Sequence, residues 1–331
     1  MTRSSVVLID GEHYPPVVAR AIAKLKERDE NPVLALLVGG GEKLDGEPSV
    51  GIPLQVAEDP ERDLAEAIER TGAKRVIDIS DEPVLGYLAR FRLASVALWK
   101  GASYIGADFE LNPPSRELAP SVPSVAVIGT GKRTGKTAVG GATARAFRDA
   151  GLNPVVVAMG RGGPPEPELI EADALLAPET LLEWSEAGRH AASDYIEDAL
   201  VAGVPTVGAW RAGGGLAGEP SFTNYETAVR RAEEMEPGTL ILEGSGAAIP
   251  PTRFDAAILV ADAAIDPAFL CGYLGLYRVL LADLVVLTMV EEPVDQRRLA
   301  EVEDCLRSSL NKPKVLRTVF RPHPLGEVSG Q

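Results

Sequence analysis

Cysteine and histidine are scarce in this sequence, and their scarcity excludes several kinds of site. The 331 residues include two cysteines and three histidines. Cys271 and Cys305 show no motif spacing, which argues against a disulfide framework or a cysteine-based metal site. We therefore expect two reduced cysteines in the core. The histidines form no Ser/His/Asp or Cys/His pattern, so nucleophilic catalysis of that kind has no support in the sequence.

Long apolar runs are missing as well. The longest nearly apolar stretch, residues 279–290, includes Asp283 and is too short to cross a bilayer. The first residues lack the charged and then apolar pattern of a secretory leader. These two observations predict a cytoplasmic protein that does not insert into a membrane.

Basic residues are fewer than acidic residues. With 48 acidic and 33 basic residues the formal net charge is −15, so a nucleic-acid backbone or an anionic lipid surface is an unfavourable partner. Of the basic residues, 24 are arginine and 9 are lysine. Arginine offers a planar fork of donors that suits phosphate and carboxylate groups. Arginines inside glycine-rich loops are therefore candidates for anion binding.

The sequence does contain a repeated alternation of short apolar runs and amphipathic stretches. Its 45% apolar and 24% charged residues are typical of a globular protein. In the first part of the chain we expect strands at residues 6–9, 33–38 and 76–79, and helices at 17–28, 64–70 and 84–92. Alternation of this kind indicates an α/β fold with βαβ units on a parallel sheet, here a Rossmann-like domain.

A proline-rich stretch at residues 111–123 separates this series from a second one. Proline interrupts the interiors of helices and sheets, so we place a domain boundary there, with domains at residues 1–115 and 116–331. The second series predicts strands at 125–128, 154–158, 204–209, 239–242, 257–260, 284–288 and 315–320. Several of these runs are continuously apolar, which favours a doubly wound parallel sheet covered on both faces.

A phosphate-binding loop follows the first strand of the second domain and precedes a helix predicted over residues 138–150. It consists of Gly129, Thr130, Gly131, Lys132, Arg133, Thr134, Gly135, Lys136 and Thr137. In such a loop, backbone N–H groups and the helix dipole surround a phosphate chain, the lysine reaches the terminal phosphates and the threonine hydroxyl can bind Mg²⁺. Thr130 departs from the usual form, which has glycine there. The motif predicts a P-loop NTPase domain.

Two arginines follow later strands beside glycine-rich backbone. Arg161 comes directly after the strand predicted at 154–158, and Arg211 precedes the run of glycines at 213–215. Because parallel strands end at one edge of a sheet, both arginines are candidates to clamp a strongly anionic acceptor. Downstream of Arg161, Asp173 and Glu171 could offer a second metal oxygen, with surface carboxylates as the alternative.

The first domain has candidates of its own after its first two strands. Glu12 and His13 follow the strand at 6–9, and a glycine-rich segment at 39–43 follows the strand at 33–38. Loops at this edge of an α/β sheet bind ligands, so Glu12 and His13 are candidate substrate-binding residues, with a structural role as the alternative for His13. We expect His190, in a helix predicted at 184–192, to lie at the surface.

The form of the P-loop, Gly-Thr followed by four residues and Gly-Lys-Thr, resembles dethiobiotin synthetase and related ATP-dependent ligases. In that group a Glu-Gly-x-Gly element supplies a carboxylate to Mg²⁺, and Glu243-Gly244-Ser245-Gly246 matches it. Together with residues 9–16, the loops of Arg161 and Arg211 and residues 320–324, these motifs resemble the cyclic 2,3-diphosphoglycerate synthetases from end to end. Sequences of that family continue beyond the position of Gln331, so we expect a truncated chain or a shorter relative.

The resemblance implies an ATP- and Mg²⁺-dependent ligase that closes the two phosphates of 2,3-diphosphoglycerate into a cyclic anhydride. It implies that Thr137 and Glu243 hold Mg²⁺, with Asp173 as a further candidate. Lys136 would stabilise the transferred phosphoryl group, Arg161 and Arg211 would gather the acceptor, and Arg321 would line the nucleotide site.

Two alternatives remain open at this point. The chain could be a ligase of the dethiobiotin type that acts on a carboxylate, or a nucleotide-binding switch without an acceptor. If the chain is a cyclic 2,3-diphosphoglycerate synthetase, as the resemblance implies, we expect a homodimer that binds a small anion and neither nucleic acid nor membrane.

Overall fold

The computed structural model describes residues 3–41, 49–174, 176–188, 194–291 and 294–321. These residues form two sheets in which most neighbouring strands are parallel. The α/β fold class predicted from the alternation of apolar runs and amphipathic stretches is confirmed.

The first sheet contains six strands, and helices lie on both of its faces. Its strands are β1 (Arg3–Ile9), β2 (Glu30–Leu37), β3 (Leu54–Val56), β4 (Arg75–Asp78), β5 (Ser103–Ile105) and β6 (Glu110–Leu111). The helices are α1 (Pro15–Glu27), α2 (Pro60–Thr71) and α3 (Tyr87–Trp99). The strand order is β3-β2-β1-β4-β5-β6, and all pairs are parallel except β5 with β6.

The alternation of side chains along β1 explains this layering. Val7 and Ile9 belong to the cluster of α1, whereas Val6 and Leu8 belong to the cluster of α2 and α3. All four side chains are buried because successive residues of a strand point to opposite faces of the sheet.

The second sheet has nine strands and places the P-loop strand near its centre. Its strands are β7 (Ser124–Gly129), β8 (Pro154–Gly160), β9 (Glu168–Ile170), β10 (Thr206–Ala212), β11 (Phe222–Thr223), β12 (Thr239–Glu243), β13 (Ala256–Asp262), β14 (Leu284–Thr288) and β15 (Lys314–Arg317). The order is β11-β10-β8-β12-β7-β13-β14-β15, and β9 pairs with β10. From β10 to β15 the pairs are parallel, while β9 and β11 run antiparallel to β10.

Helices cover both faces of this sheet, as the continuous apolar runs predict. They are α4 (Lys136–Asp149), α5 (Pro178–Glu186), α6 (Asp194–Ala202), α7 (Tyr225–Glu233), α8 (Pro267–Leu270), α9 (Gly275–Leu281) and α10 (Gln296–Ser308). Around β8, Val156 and Ala158 pack with α4 and α6, and Val155 and Val157 pack with α7. The apolar stretch at 279–290 is divided between α9 and β14, and no helix among the described residues is both long and apolar enough to span a bilayer.

The two sheets share a core. One cluster of buried apolar side chains includes residues of both domains, such as Leu93 of α3 and Leu276 of α9. At this contact Ser95 Oγ donates to the Tyr273 carbonyl at 2.9 Å, and Arg92 donates to the Cys271 carbonyl while it also pairs with Glu61. The domains are therefore joined by packing as well as by the linker.

The expectation of two reduced cysteines is wrong in this structure. Cys271 and Cys305 form a disulfide with their Cα atoms 6.1 Å apart. Cys271 follows α8 directly and Cys305 lies in α10, which packs against α8. The sequence separation of 34 residues hid this proximity, because only the packing of the two helices creates it.

Candidate functional site

The P-loop connects β7 to α4 and lines a cavity of about 520 Å³. The residues around this cavity are Gly131, Lys132, Arg133, Thr134, Gly135, Lys136, Thr137, Arg161, Gly162, Asp194, Glu197, Ser245 and Gly246. Gly129 and Thr130 lie at the start of the loop, where the Thr130 N–H donates to the Val260 carbonyl of β13 at 3.2 Å. The cavity thus opens at the carboxyl ends of the parallel strands, where α/β sheets bind ligands.

The loop itself offers groups suited to phosphate. Lys136 lies over Gly129, because a Cβ atom built on that glycine would come 2.8 Å from the lysine Cδ. The Thr134 hydroxyl is buried without a hydrogen-bond partner, while Thr288 Oγ1 donates to the Thr134 carbonyl at 2.8 Å. A phosphate oxygen in the cavity could accept from that hydroxyl and from the backbone N–H groups at the start of α4.

A buried pair of carboxyl groups lies beneath the loop. Glu243 ends β12, is 3% exposed and has no partner for Oε1. Asp198 of α6 is 1% exposed and forms a hydrogen bond with Glu243, which requires a shared proton. Burial raises the pKa of Glu243 to about 7, opposed by the charge of Lys136 and by the Asp198 hydrogen bond. Burial and the nearby Glu243 raise the pKa of Asp198 as well.

Helix α4 accommodates this pair through one glycine. A Cβ atom built on Gly140 would lie 1.7 Å from Glu243 Oε1, so only glycine allows the carboxyl group to approach the helix so closely. The helix that begins with the P-loop lysine is therefore in direct contact with the acidic residue of the neighbouring strand.

Arg161 and Arg211 converge on Gly246, on the turn after β12. A Cβ atom built on Gly246 would lie 3.2 Å from Arg161 Nη2 and 3.6 Å from Arg211 Nη2. Arg211 is 8% exposed, and burial followed by the charge of Arg161 lowers its pKa. Its Nη1 donates to the Gly213 carbonyl at 2.6 Å and its Nη2 to the Ser245 carbonyl at 3.0 Å. Two like charges held together in a cleft favour an anion between them.

Sequence reasoning placed Arg211 in a loop, but it lies within β10, which extends to Ala212 and pairs there with β11. Arg161 follows β8 directly, as expected. Lys132 and Arg133 are exposed in the loop and also line the cavity.

Two other predicted residues lie away from the P-loop cavity. Asp173 is exposed in a turn after β9, because β9 leads the chain back along β10 before that turn. Arg321 pairs with Glu291 at 2.7 Å at the surface. Its neighbour Phe320 does reach the loop, since its ring lies against Gly135. Residues 322–324 and His190 lie outside the described residues, as do Glu42 and Lys43.

Glu12 and His13 are in the first domain, near a separate cavity of about 590 Å³ that His13 lines. His13 Nδ1 donates to the buried Asp10 at 2.9 Å, and the Asp81 N–H donates to the same carboxylate at 2.6 Å. Burial raises the pKa of Asp10, but these hydrogen bonds together outweigh burial and hold the pKa below its ordinary value. Among the described residues, no residue lines both this cavity and the P-loop cavity.

Sequence reasoning missed the acidic residues of α6. Asp194 and Glu197 line the P-loop cavity, and Asp198 lies below it. A signal was present, because Asp198 shares a helical face with Tyr195 and Ala202, which are buried. An acidic residue on an apolar face indicates a partner inside the protein, but the sequence alone does not say which one.

The donor set at the loop fits a small divalent cation. Glu243 Oε1 is a buried oxygen without a hydrogen-bond partner that lies against Gly140 of α4, and Thr137, at the start of the same helix, lines the P-loop cavity. Among the described residues no group of three or more His, Cys, Asp or Glu side chains is arranged to hold a metal. Mg²⁺ that is bound to phosphates usually keeps several water ligands, so one or two protein oxygens are enough to hold it.

Comparison with known proteins assigns both domains. The family "Cyclic 2,3-diphosphoglycerate synthetase, N-terminal domain" matches residues 4–112, and "Cyclic 2,3-diphosphoglycerate synthetase, P-loop domain" matches residues 124–319.

Curated relatives carry the same name. The protein named cyclic 2,3-diphosphoglycerate synthetase from Rubrobacter xylanophilus is 50% identical over 98% of this chain and 74% of its own length. Proteins of that name from Thermococcus gammatolerans and Methanothermobacter thermautotrophicus are 46% and 43% identical, over 98% and 100% of this chain and 74% of their own lengths. Synthetases are ligase-type enzymes, and the P-loop is a nucleotide-binding element. The chain therefore belongs to the cyclic 2,3-diphosphoglycerate synthetase family.

Proposed function

We propose that this protein closes 2,3-diphosphoglycerate into its cyclic anhydride, using ATP and Mg²⁺ and releasing ADP and inorganic phosphate. The observation that carries the proposal is that Arg161, which lines the P-loop cavity, and the buried Arg211 converge on Gly246, another residue of the cavity lining. Two phosphomonoesters and a carboxylate repel one another. Guanidinium groups held together by the fold would gather these anions before any bond forms.

The residues of the cavity have distinct parts in this reaction. Lys136 and the backbone N–H groups of the loop would hold the terminal phosphates of ATP and stabilise the phosphoryl group during transfer to one substrate phosphate. The second substrate phosphate then attacks the phosphorus that carries the new phosphoryl group, and inorganic phosphate leaves. Arg161 and Arg211 would align the two substrate phosphates for this ring closure.

Thr137 and Glu243 are the residues that would hold Mg²⁺. When bound, the ion would neutralise negative charge on the phosphates between which the phosphoryl group is transferred. Glu243 presents an oxygen without a partner close to Lys136, while Asp198 supports its carboxyl group from below. Glu12 and His13 remain predicted substrate residues of the first domain.

The direct test measures ADP release and cyclic product with and without 2,3-diphosphoglycerate. Wild-type protein should release ADP in response to the diphosphate and form cyclic product, which phosphorus NMR counts separately. A monophosphate such as 3-phosphoglycerate should give no cyclic product, because it lacks the second phosphate. Lys136→Ala should lower turnover by about a hundredfold or more, as expected for loss of one charged group at the reacting phosphates.

The arginines are tested by replacement with lysine, which keeps the charge and removes the bidentate fork. Arg161→Lys and Arg211→Lys should make less cyclic product per ADP released. The matched control is Arg253→Lys, an exposed arginine that donates to the Arg116 carbonyl. ADP release that ignores the diphosphate would favour a nucleotide switch. Turnover of carboxylate acceptors without ring closure would favour a ligase of the dethiobiotin type.

A further inference from the structure

A buried arginine in α9 has no acidic partner among the described residues. Arg278 is 6% exposed, and within the described part of the chain its guanidinium donates only to main-chain carbonyls. Nη2 and Nε reach the Ala247 carbonyl at 2.7 and 3.2 Å, and Nη1 reaches the Leu274 carbonyl at 3.1 Å and the Leu216 carbonyl at 3.4 Å. Burial lowers its pKa to about 10. Burying a guanidinium group without a carboxylate partner costs desolvation free energy, and the hydrogen bonds to carbonyls offset part of that cost.

Two of the three carbonyls that Arg278 holds belong to loops outside its own helix, and the third is that of Leu274, the N-cap of α9. Leu216 is on the glycine-rich loop after β10, and Ala247 is on the turn after β12. A lysine could not span both, because its single ammonium group lacks the planar fork that reaches two acceptors at once.

Arg211 donates hydrogen bonds to carbonyls of the same two loops. It donates to the Gly213 carbonyl on the first loop and to the Ser245 carbonyl on the second. Gly246, with a φ of 60°, lies between the two held carbonyls of the turn, and a Cβ atom built on it would lie 3.2 Å from Arg161 Nη2 and 3.6 Å from Arg211 Nη2. The position of the turn therefore determines where Arg161 and Arg211 meet.

We propose that Arg278 is a positioning residue for the acceptor. It holds the glycine-rich loop and the turn at a fixed separation and so keeps the Arg211 guanidinium beside that of Arg161. The inference rests on the proposed function, because the acceptor is what this pair of arginines is proposed to hold. Arg278 itself is not among the residues that line the P-loop cavity.

The test is a double-mutant cycle between Arg278 and Arg211. Arg278→Lys should raise the KM for 2,3-diphosphoglycerate about tenfold or more, as expected for lost hydrogen bonds to a charged group, with the KM for ATP unchanged. In an Arg211→Lys background the same substitution should have little further effect, since the group that it positions has already lost its fork. The matched control is Arg92→Lys, which loosens the neighbouring Cys271 carbonyl and touches neither loop.

Two measurements keep the outcome clear. If the lysine variant does not fold, Arg278→Gln replaces it, because glutamine retains a side-chain amide donor for the Ala247 carbonyl. Calorimetry then gives the dissociation constant of the diphosphate directly. An equal loss in the wild-type and Arg211→Lys backgrounds, or a parallel rise in both KM values, would overturn the positioning role. Wild-type protein that makes no cyclic product would instead contradict the proposed function, and it would do so before any Arg278 variant is compared.

Discussion

At the scale of single residues, the feature that most constrains this site is the buried carboxyl pair of Glu243 and Asp198. Two carboxyl groups in contact away from water cannot both be ionised without a compensating charge. Lys136 supplies part of that charge, since it lowers the pKa of Glu243. The P-loop lysine is thus coupled to the strand carboxylate before any nucleotide binds, and Lys136→Ala should leave Glu243 more fully protonated.

The raised pKa of Glu243 predicts a pH dependence of stability. Between its ordinary value of 4.5 and its native value of about 7, the native state retains a proton that the unfolded chain has released. Stability contributed by this group is therefore lost as pH rises through that window, and the loss is complete above it. Glu243→Gln should remove this loss. Between pH 5 and 7 the free energy of unfolding of the variant should therefore rise relative to that of the wild type by up to about 1.4 kcal/mol per pH unit.

Denaturant unfolding without nucleotide or Mg²⁺ measures this difference. Glu303→Gln is the matched control, because hydrogen bonds from Arg317 and Arg307 lower the pKa of Glu303 to about 2. Its carboxylate is ionised across the same window, so its substitution should change stability by an amount that does not vary with pH. A wild-type to Glu243→Gln difference that is constant from pH 5 to 8 would refute the assignment.

At the scale of elements, α4 combines the phosphate-binding loop with close contact to β12. Alanine is usually the better helix former, worth about 0.5–1 kcal/mol over glycine. At Gly140 the added Cβ atom would lie 1.7 Å from Glu243 Oε1. We expect Gly140→Ala to destabilise the protein by about 1–3 kcal/mol, as overpacking does, and to become neutral or stabilising in a Glu243→Ala background.

The next residue of the helix provides the control. A Cβ atom on Gly141 would lie 2.4 Å from Val201 Cγ1, a side chain that is 40% exposed and can move aside. Gly141→Ala should therefore destabilise the protein less than Gly140→Ala in thermal unfolding, because an exposed side chain yields more easily than a buried carboxyl group. Similar losses for both alanine variants, or no rescue by Glu243→Ala, would show that the contact with Glu243 is not what requires glycine.

The sequence could predict the major strands and the P-loop, because continuous apolar runs and the Gly-Lys-Thr element are local signals. It could not predict short strands such as β9 and β11, which exist only because β10 offers them a partner. The sequence also could not indicate Asp194 and Asp198, because their positions depend on how α6 packs on the sheet. The acidic face of α6 reaches the cavity only after the sheet order places β12 next to β8.

At the scale of the whole molecule, the two sheets behave as one packed unit. The core cluster that contains Leu93 and Leu276 is continuous across the domain contact, and α3 lies against α9, the helix that carries Arg278. A fragment beginning near residue 120 would expose the apolar surface that α3 covers. The proline-rich linker predicted two domains, but it carried no information about this shared core.

Two tryptophans can test whether the domains unfold together. Trp99 ends α3 in the first domain, and Trp210 lies in β10 of the second. In variants that keep only one of these tryptophans and replace the others by phenylalanine, fluorescence should report coincident unfolding transitions, because loss of either domain uncovers the shared core.

Removing the Arg92 side chain should shift both transitions together. Arg92→Ala deletes the pairing with Glu61 and the bond to the Cys271 carbonyl, and hydrogen bonds to charged groups contribute about 1.5–3 kcal/mol. Arg62→Ala is the control, because its ion pair with Asp59 is exposed and should change stability by less than about 1 kcal/mol. A Trp99 transition that precedes that of Trp210, or an Arg92→Ala shift confined to Trp99, would mean that the domains unfold separately and that the contact of α3 with α9 does not couple them.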